Sequence, residues 1–119
     1  MTAVPWDAPS FKEASIIYWT EGEKAATTLS RVMEGRKPEV CCSCNWGGSK
    51  NFPSELVTWF GGKEVVIFAD NDLPGRDYAN KVASAITGTA KNVKVVSFPD
   101  YPEKYDIADW IKEESEAVA

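Results

Sequence analysis

Two acidic segments carry the residues best suited to chemistry, Thr20-Glu21-Gly22-Glu23-Lys24 and Asp70-Asn71-Asp72-Leu73-Pro74-Gly75-Arg76, and each directly follows a short apolar run. Alternate residues Asp70 and Asp72 can present two oxygens to one cation or a close pair of cations. If the two apolar runs are neighbouring strands, Glu21 faces both aspartates and three carboxylates converge. Like charges so close cannot all stay ionised without a counter-charge, and the hard cation suited to oxygen ligands and phosphate substrates is Mg²⁺, with Mn²⁺ as a substitute. Such a site suits phosphoryl or nucleotidyl transfer, in which metal ions activate the attacking oxygen and stabilise the leaving one. Each segment also has a plain reading. Asp, Asn, Pro and Gly are ordinary turn residues, and Glu21 to Lys24 fits the acidic first turn of a helix. Finding both after alternate strands is what the plain readings explain least.

Composition narrows the alternatives. The chain has 119 residues and no histidine, which removes His-based acid-base catalysis, His-dependent nucleophiles and His-containing zinc sites. Lys and Arg number 13 against 18 Asp and Glu, a net charge of −5, which argues against tight nonspecific nucleic-acid binding by this chain alone. Cys41, Cys42 and Cys44 are too crowded for a secreted disulfide framework and lack the second ligand pair of a closed zinc site. They read as small buried residues. No apolar run has the length of a membrane span, and Met1-Thr2-Ala3-Val4-Pro5 lacks the plan of a signal peptide. The chain is read as cytoplasmic, with no membrane partner.

The elements that must position the carboxylates follow from periodicity. Residues 1–14 contain Pro5, Trp6 and Pro9 without a usable period and are read as a loosely packed leader or linker remnant, leaving 15–119 as one domain. Ile16 to Thr20 predicts a strand, and Ala25, Ala26, Leu29, Val32 and Met33 recur at helical spacing up to Gly35. Glu39 to Ser43 predicts a second strand, Asn45 to Asn51 a glycine-bearing loop, and Ser54 to Phe60 a short helix. Val65 to Ala69 is the continuous apolar run of a strand buried on both faces. A helix over Asp77 to Thr87, a strand over Val93 to Phe98 and a last short helix with Ile107, Trp110 and Ile111 complete the chain. The alternation calls for a three-layer α/β/α fold around a mainly four-stranded parallel sheet, because parallel neighbours need crossover connections. Ligands in such sheets bind beyond the carboxyl ends of the strands. In a sheet of order 2-1-3-4, the loops after strands one and three meet there.

At these residues the sequence resembles the Toprim domain, shared by bacterial-type primases, topoisomerases, overcoming-lysogenization-defect nucleases and recombination-mediator proteins. The resemblance rests on Ile16 to Gly22 and on Val65 to Gly75, and covers about residues 15 to 113. Glu21 to Ala26 looks like the Glu-Gly-Glu-Lys-Ala-Ala pattern of phage and plasmid primases and primase-helicases, and Tyr105 to Ile111 is similar to their terminal Asp-containing segment. The resemblance implies that Glu21 is a general base or acid and a metal ligand, and that Asp70 and Asp72 hold Mg²⁺. It also implies that Gly22 and Gly75 allow tight turns beside the site. Bacterial primases carry a further aspartate where this chain has Ala25, leaving Glu23 or Asp106 to compensate.

Further residues have weaker readings. Lys24, Lys50 and Arg76 are candidates for nucleic-acid or phosphate contacts, each set against the role of a solvated charge. Gly47-Gly48-Ser49-Lys50 lacks P-loop spacing and reads as a flexible loop. Of the tryptophans, Trp19, Trp59 and Trp110 read as core, and Trp46 is the candidate for stacking on single-stranded bases. Asp106 and Asp109 open a helix, so capping competes with metal support. The expected function is the Mg²⁺-dependent nucleotidyl-transfer module of a DNA primase or primase-helicase, working on single-stranded template and nucleotides through a larger assembly with flanking primase or helicase domains. Isolated activity is expected to be weak or absent. The alternatives are a metal-dependent nuclease using the same carboxylates, and a non-catalytic replication or recombination interaction module.

Overall fold

A computed structural model describes residues 5, 7–33, 39–44, 52–98, 101–102, 106–107 and 109–111. Four five-residue strands, β1 (Ile16–Thr20), β2 (Val40–Cys44), β3 (Glu64–Phe68) and β4 (Asn92–Val96), form one sheet of order β2-β1-β3-β4. All neighbours run parallel, with Tyr18 level with Cys42 on one side and with Val66 on the other. Between and before them lie α1 (Ala8–Glu13), α2 (Glu23–Met33), a 3₁₀ helix (Ser54–Phe60) and α3 (Leu73–Ile86). The α/β class, the parallel sheet and its strand order agree with the sequence reading.

Strand side chains alternate between two faces, and each face has its own core. Ile17, Trp19, Cys41, Val65 and Ile67 pack with Phe11 of α1, Leu56 and Phe60 of the 3₁₀ helix, and Tyr78, Val82 and Ile86 of α3. Its centre is aromatic: the rings of Phe11 and Phe60 meet edge to face at 5.1 Å, and those of Trp19 and Phe60 at 5.2 Å. Trp19 Nε1 donates to the Tyr78 hydroxyl at 3.0 Å, which satisfies a polar pair buried in that core. On the opposite face, Cys42 packs with Ala25 and Leu29 of α2 and with Phe98, Ile107 and Ile111, flanked by Tyr18 and Phe68. The covering elements on the two faces make the layers of the expected α/β/α sandwich.

Three expectations are corrected. Residues 8–13, expected to be part of a loosely packed leader, are helical, and Phe11 has no exposed surface. The sequence signal there is one aromatic residue rather than a period, so helical spacing could not reveal it. Trp110 is 38% exposed while Ile107 and Ile111 are buried, so the apolar face of that final turn omits the tryptophan. Finally, α3 begins at Leu73 rather than near Asp77; the short helix expected over Ser54–Phe60 is present at those residues, as a 3₁₀ helix. The loop over residues 45–51, with Trp46 and Lys50, lies outside the described residues.

Candidate functional site

The carboxyl ends of β1 and β3 are adjacent because Trp19 pairs with Ile67, so the chain leaves both strands at one edge of the sheet. Glu21 follows β1 directly. The buried Thr20 hydroxyl donates to the Gly22 carbonyl at 2.9 Å, which bends the chain toward α2. Ala69 continues the β3–β4 ladder, its N–H donating to the Val96 carbonyl at 2.9 Å, and Asp70 is therefore presented from the end of a fixed strand.

The next residues form a tight turn and a helix cap together. The Asp72 N–H donates to the Asp70 carbonyl at 2.9 Å, and the Asp72 carboxylate accepts from the Gly75 N–H at 2.6 Å as the N-cap of α3. Pro74 occupies a first-turn position where a helix needs no backbone donor. A Cβ on Gly75 would lie 2.6 Å from the Asp70 carbonyl oxygen and 2.8 Å from both Asp70 Cβ and Asp72 Oδ1, so no side chain fits. Gly22 is different. A Cβ there meets nothing within 4 Å, so contact does not demand glycine at that position.

Three further carboxylates surround Asp70. A side-chain hydrogen bond joins it to Glu21, and the charges of Glu21, Asp106 and Asp72 all oppose its ionisation. Burial is the largest cause, and together these effects push the Asp70 carboxyl up from 3.8 to about 8. The Asp70 carboxyl thus keeps its proton beside Glu21, where a second anion would be repelled. Asp106 also caps the final helical turn: its Oδ1 accepts from the Asp109 N–H at 2.9 Å, while Asp109 Oδ2 accepts from the Asp106 N–H at 3.1 Å. The cap is one of the two readings the sequence offered for Asp106, and its charge also opposes ionisation of Asp70.

The residues present fit a divalent cation by donor type: hard oxygen donors in excess of any counter-charge, crowded enough that one retains a proton. Among the described residues, no group of three or more is already arranged at ion-holding distances. Glu21, Asp70 and Asp72 would hold such a cation, whose charge would offset their mutual repulsion. Ala25 is buried in the core beneath α2. The Glu23 side chain lies outside the described residues.

The basic candidates separate. Arg76 is exposed on the first turn of α3, and its Nη1 donates to Asn71 Oδ1 at 3.3 Å. Lys24 is exposed on α2, with no contact to the carboxylates among those described. The three cysteines are buried, and burial pushes the Cys41 and Cys42 thiols up to about 12 and 11, as small core residues behave. Reasoning from the sequence gave Asn71 no role beyond turn composition. Its side chain reaches backbone carbonyls thirty residues later, a contact with no local signature. Among the described residues, no helix is long and apolar enough to cross a membrane. No family model, curated protein or solved structure matches the chain.

Proposed function

We propose that the chain is a Toprim-like, Mg²⁺-dependent nucleotidyl-transfer module of a cytoplasmic DNA primase or primase-helicase. It would act on single-stranded template and nucleotides within a larger assembly. The observation that supports this reading is the gathering of Glu21, Asp70, Asp72 and Asp106 at the carboxyl ends of two adjacent parallel strands, where α/β sheets bind ligands. Glu21, Asp70 and Asp72 would hold the cation, which when bound neutralises phosphate charge and activates the attacking oxygen. Glu21, hydrogen-bonded to Asp70, would accept and return a proton at that edge. Arg76 offers an exposed guanidinium to phosphate oxygens from the same end of α3.

The test is calorimetric titration of Mg²⁺ and Mn²⁺ into wild type and the Asp70→Ala/Asp72→Ala double variant, repeated with nucleotide and single-stranded DNA. Saturable binding that the double variant loses, strengthened by nucleotide, is the expected result. Identical behaviour of the two proteins at millimolar metal would reduce the cluster to a capped turn on an interaction module. Incubating the metal-loaded protein and its flanking domains with labelled template then separates synthesis from hydrolysis: incorporated nucleotide supports transfer, and shortened DNA supports a nuclease.

A further inference from the structure

The side chain of Asn71 links the aspartate loop to the chain at Tyr101 and Pro102. Its Nδ2 donates to the Tyr101 carbonyl at 2.6 Å and to the Pro102 carbonyl at 3.0 Å, while its Oδ1 accepts from Arg76 at 3.3 Å. Chemistry settles which way the amide faces, because carbonyls only accept and a guanidinium only donates. No carboxylate could replace it, since an acid in this place would point its oxygens at two carbonyl oxygens.

Pro102 precedes Asp106 by four residues, and Asp106 in turn caps its own helical turn. We propose that Asn71 is a positioning residue, which ties the loop bearing Asp70 and Asp72 to the chain at Tyr101 and Pro102 and so sets Asp106 against Asp70. This rests on the reading of the cluster as a cation site. Asp70 and Asp72 belong to the β3–α3 junction, whereas Asp106 arrives after β4 and has to be brought back over the sheet edge. Packing of Ile107 and Ile111 into the α2 face holds that turn to the sheet, and the Asn71 amide fixes its approach to the carboxylates. Groups that orient a ligand without touching the ion commonly change metal affinity tenfold or more.

Two measurements on the Asn71→Ala, Asp106→Asn and combined variants test the proposal, with Mn²⁺ chloride as the probe. Native-state amide exchange, read by NMR, is expected to accelerate about tenfold at Asp109 and Trp110 in Asn71→Ala, with the β3 amides unchanged. The Asp109 and Trp110 amides report directly because both donate to Asp106. The near-isosteric Asn71→Asp is expected to accelerate them equally, showing that donation rather than volume matters. Calorimetry is expected to give about a tenfold loss of Mn²⁺ affinity in Asn71→Ala and no further loss when Asp106→Asn is already present. Unchanged exchange overturns the tether whatever the metal does. Additive losses, in a wild type that binds Mn²⁺, overturn the positioning role and leave the cation site standing. A wild type that binds no Mn²⁺ overturns the cation site and the positioning role with it.

Discussion

Replacing Asp70 with asparagine should make the metal-free protein more stable, and the gain should depend on pH in a calculable way. In the fold the Asp70 carboxyl titrates at about 8, held up first by burial and then by Glu21, against an ordinary value of 3.8 in the unfolded chain. The folded state therefore keeps a proton that the unfolded state has released throughout the window between those values. Stability from this group is complete below pH 4, falls as pH rises, and is exhausted above about 8. In a dry site the loss between pH 4 and 8 would be roughly 6 kcal/mol, at about 1.4 kcal/mol per pH unit. Asp70 is only partly buried, and solvent screening reduces this to about 1–2 kcal/mol. An amide has the same shape, donates to Glu21 and has no proton to lose. The Asp70→Asn variant should thus match wild type near pH 4 and exceed it by about 1–2 kcal/mol at pH 8, or about 3–6 °C in Tm. Urea unfolding followed by circular dichroism, in chelator-treated buffers from pH 4 to 8.5, measures the difference. At pH 8, millimolar Mg²⁺ should stabilise wild type by on the order of 1 kcal/mol, with little effect on the variant. A variant less stable than wild type at pH 8, or an offset constant across pH, would refute the account of a carboxyl kept protonated by its neighbours.

Other outcomes follow from the packing. Phe11→Ala empties a fully buried aromatic site between Trp19, Trp59 and Phe60 and should cost about 3–5 kcal/mol in urea unfolding; a cost below 1 kcal/mol would return the first segment to the status of a leader. Gly75→Ala forces a methyl against the Asp70 carbonyl and should lower stability by about 1–3 kcal/mol while weakening Mn²⁺ binding, whereas Gly22→Ala should leave the cation site intact. Cys41 and Cys42 should resist iodoacetamide at pH 8 in the native protein and react on unfolding, because burial both covers the thiols and disfavours the thiolate; rapid native labelling would contradict their placement in the two cores.

Much of the fold was readable because its signals are local. A five-residue apolar run bounded by turn residues specifies a strand wherever it sits, and the boundaries of β1 agree residue for residue. Helical spacing picked out the buried Ala25, Ala26 and Leu29 of α2 and the buried Tyr78, Val82 and Ile86 of α3, and the βαβ alternation required parallel strands. The start of α3 was displaced because Leu73 lies 65% exposed and adds nothing to a periodic pattern, while the cap that starts the helix is a hydrogen bond. The 3₁₀ helix and α1 are too short for a period, and tertiary burial of Phe11, Leu56 and Phe60 holds them.

For the site, the residue types and their places after alternate strands already named Glu21, Asp70 and Asp72 as carboxylates that could meet. Their meeting depended on strand order, since only a sheet with β1 beside β3 puts the two loops at one edge. Tertiary structure alone decided that Asp70 keeps a proton, that Asp106 joins from beyond β4, and that Asn71 bonds to carbonyls thirty residues away. Composition and spacing determine what a short segment can do by itself. Desolvation, charge crowding and hydrogen bonds between distant segments exist only once the chain has closed around them.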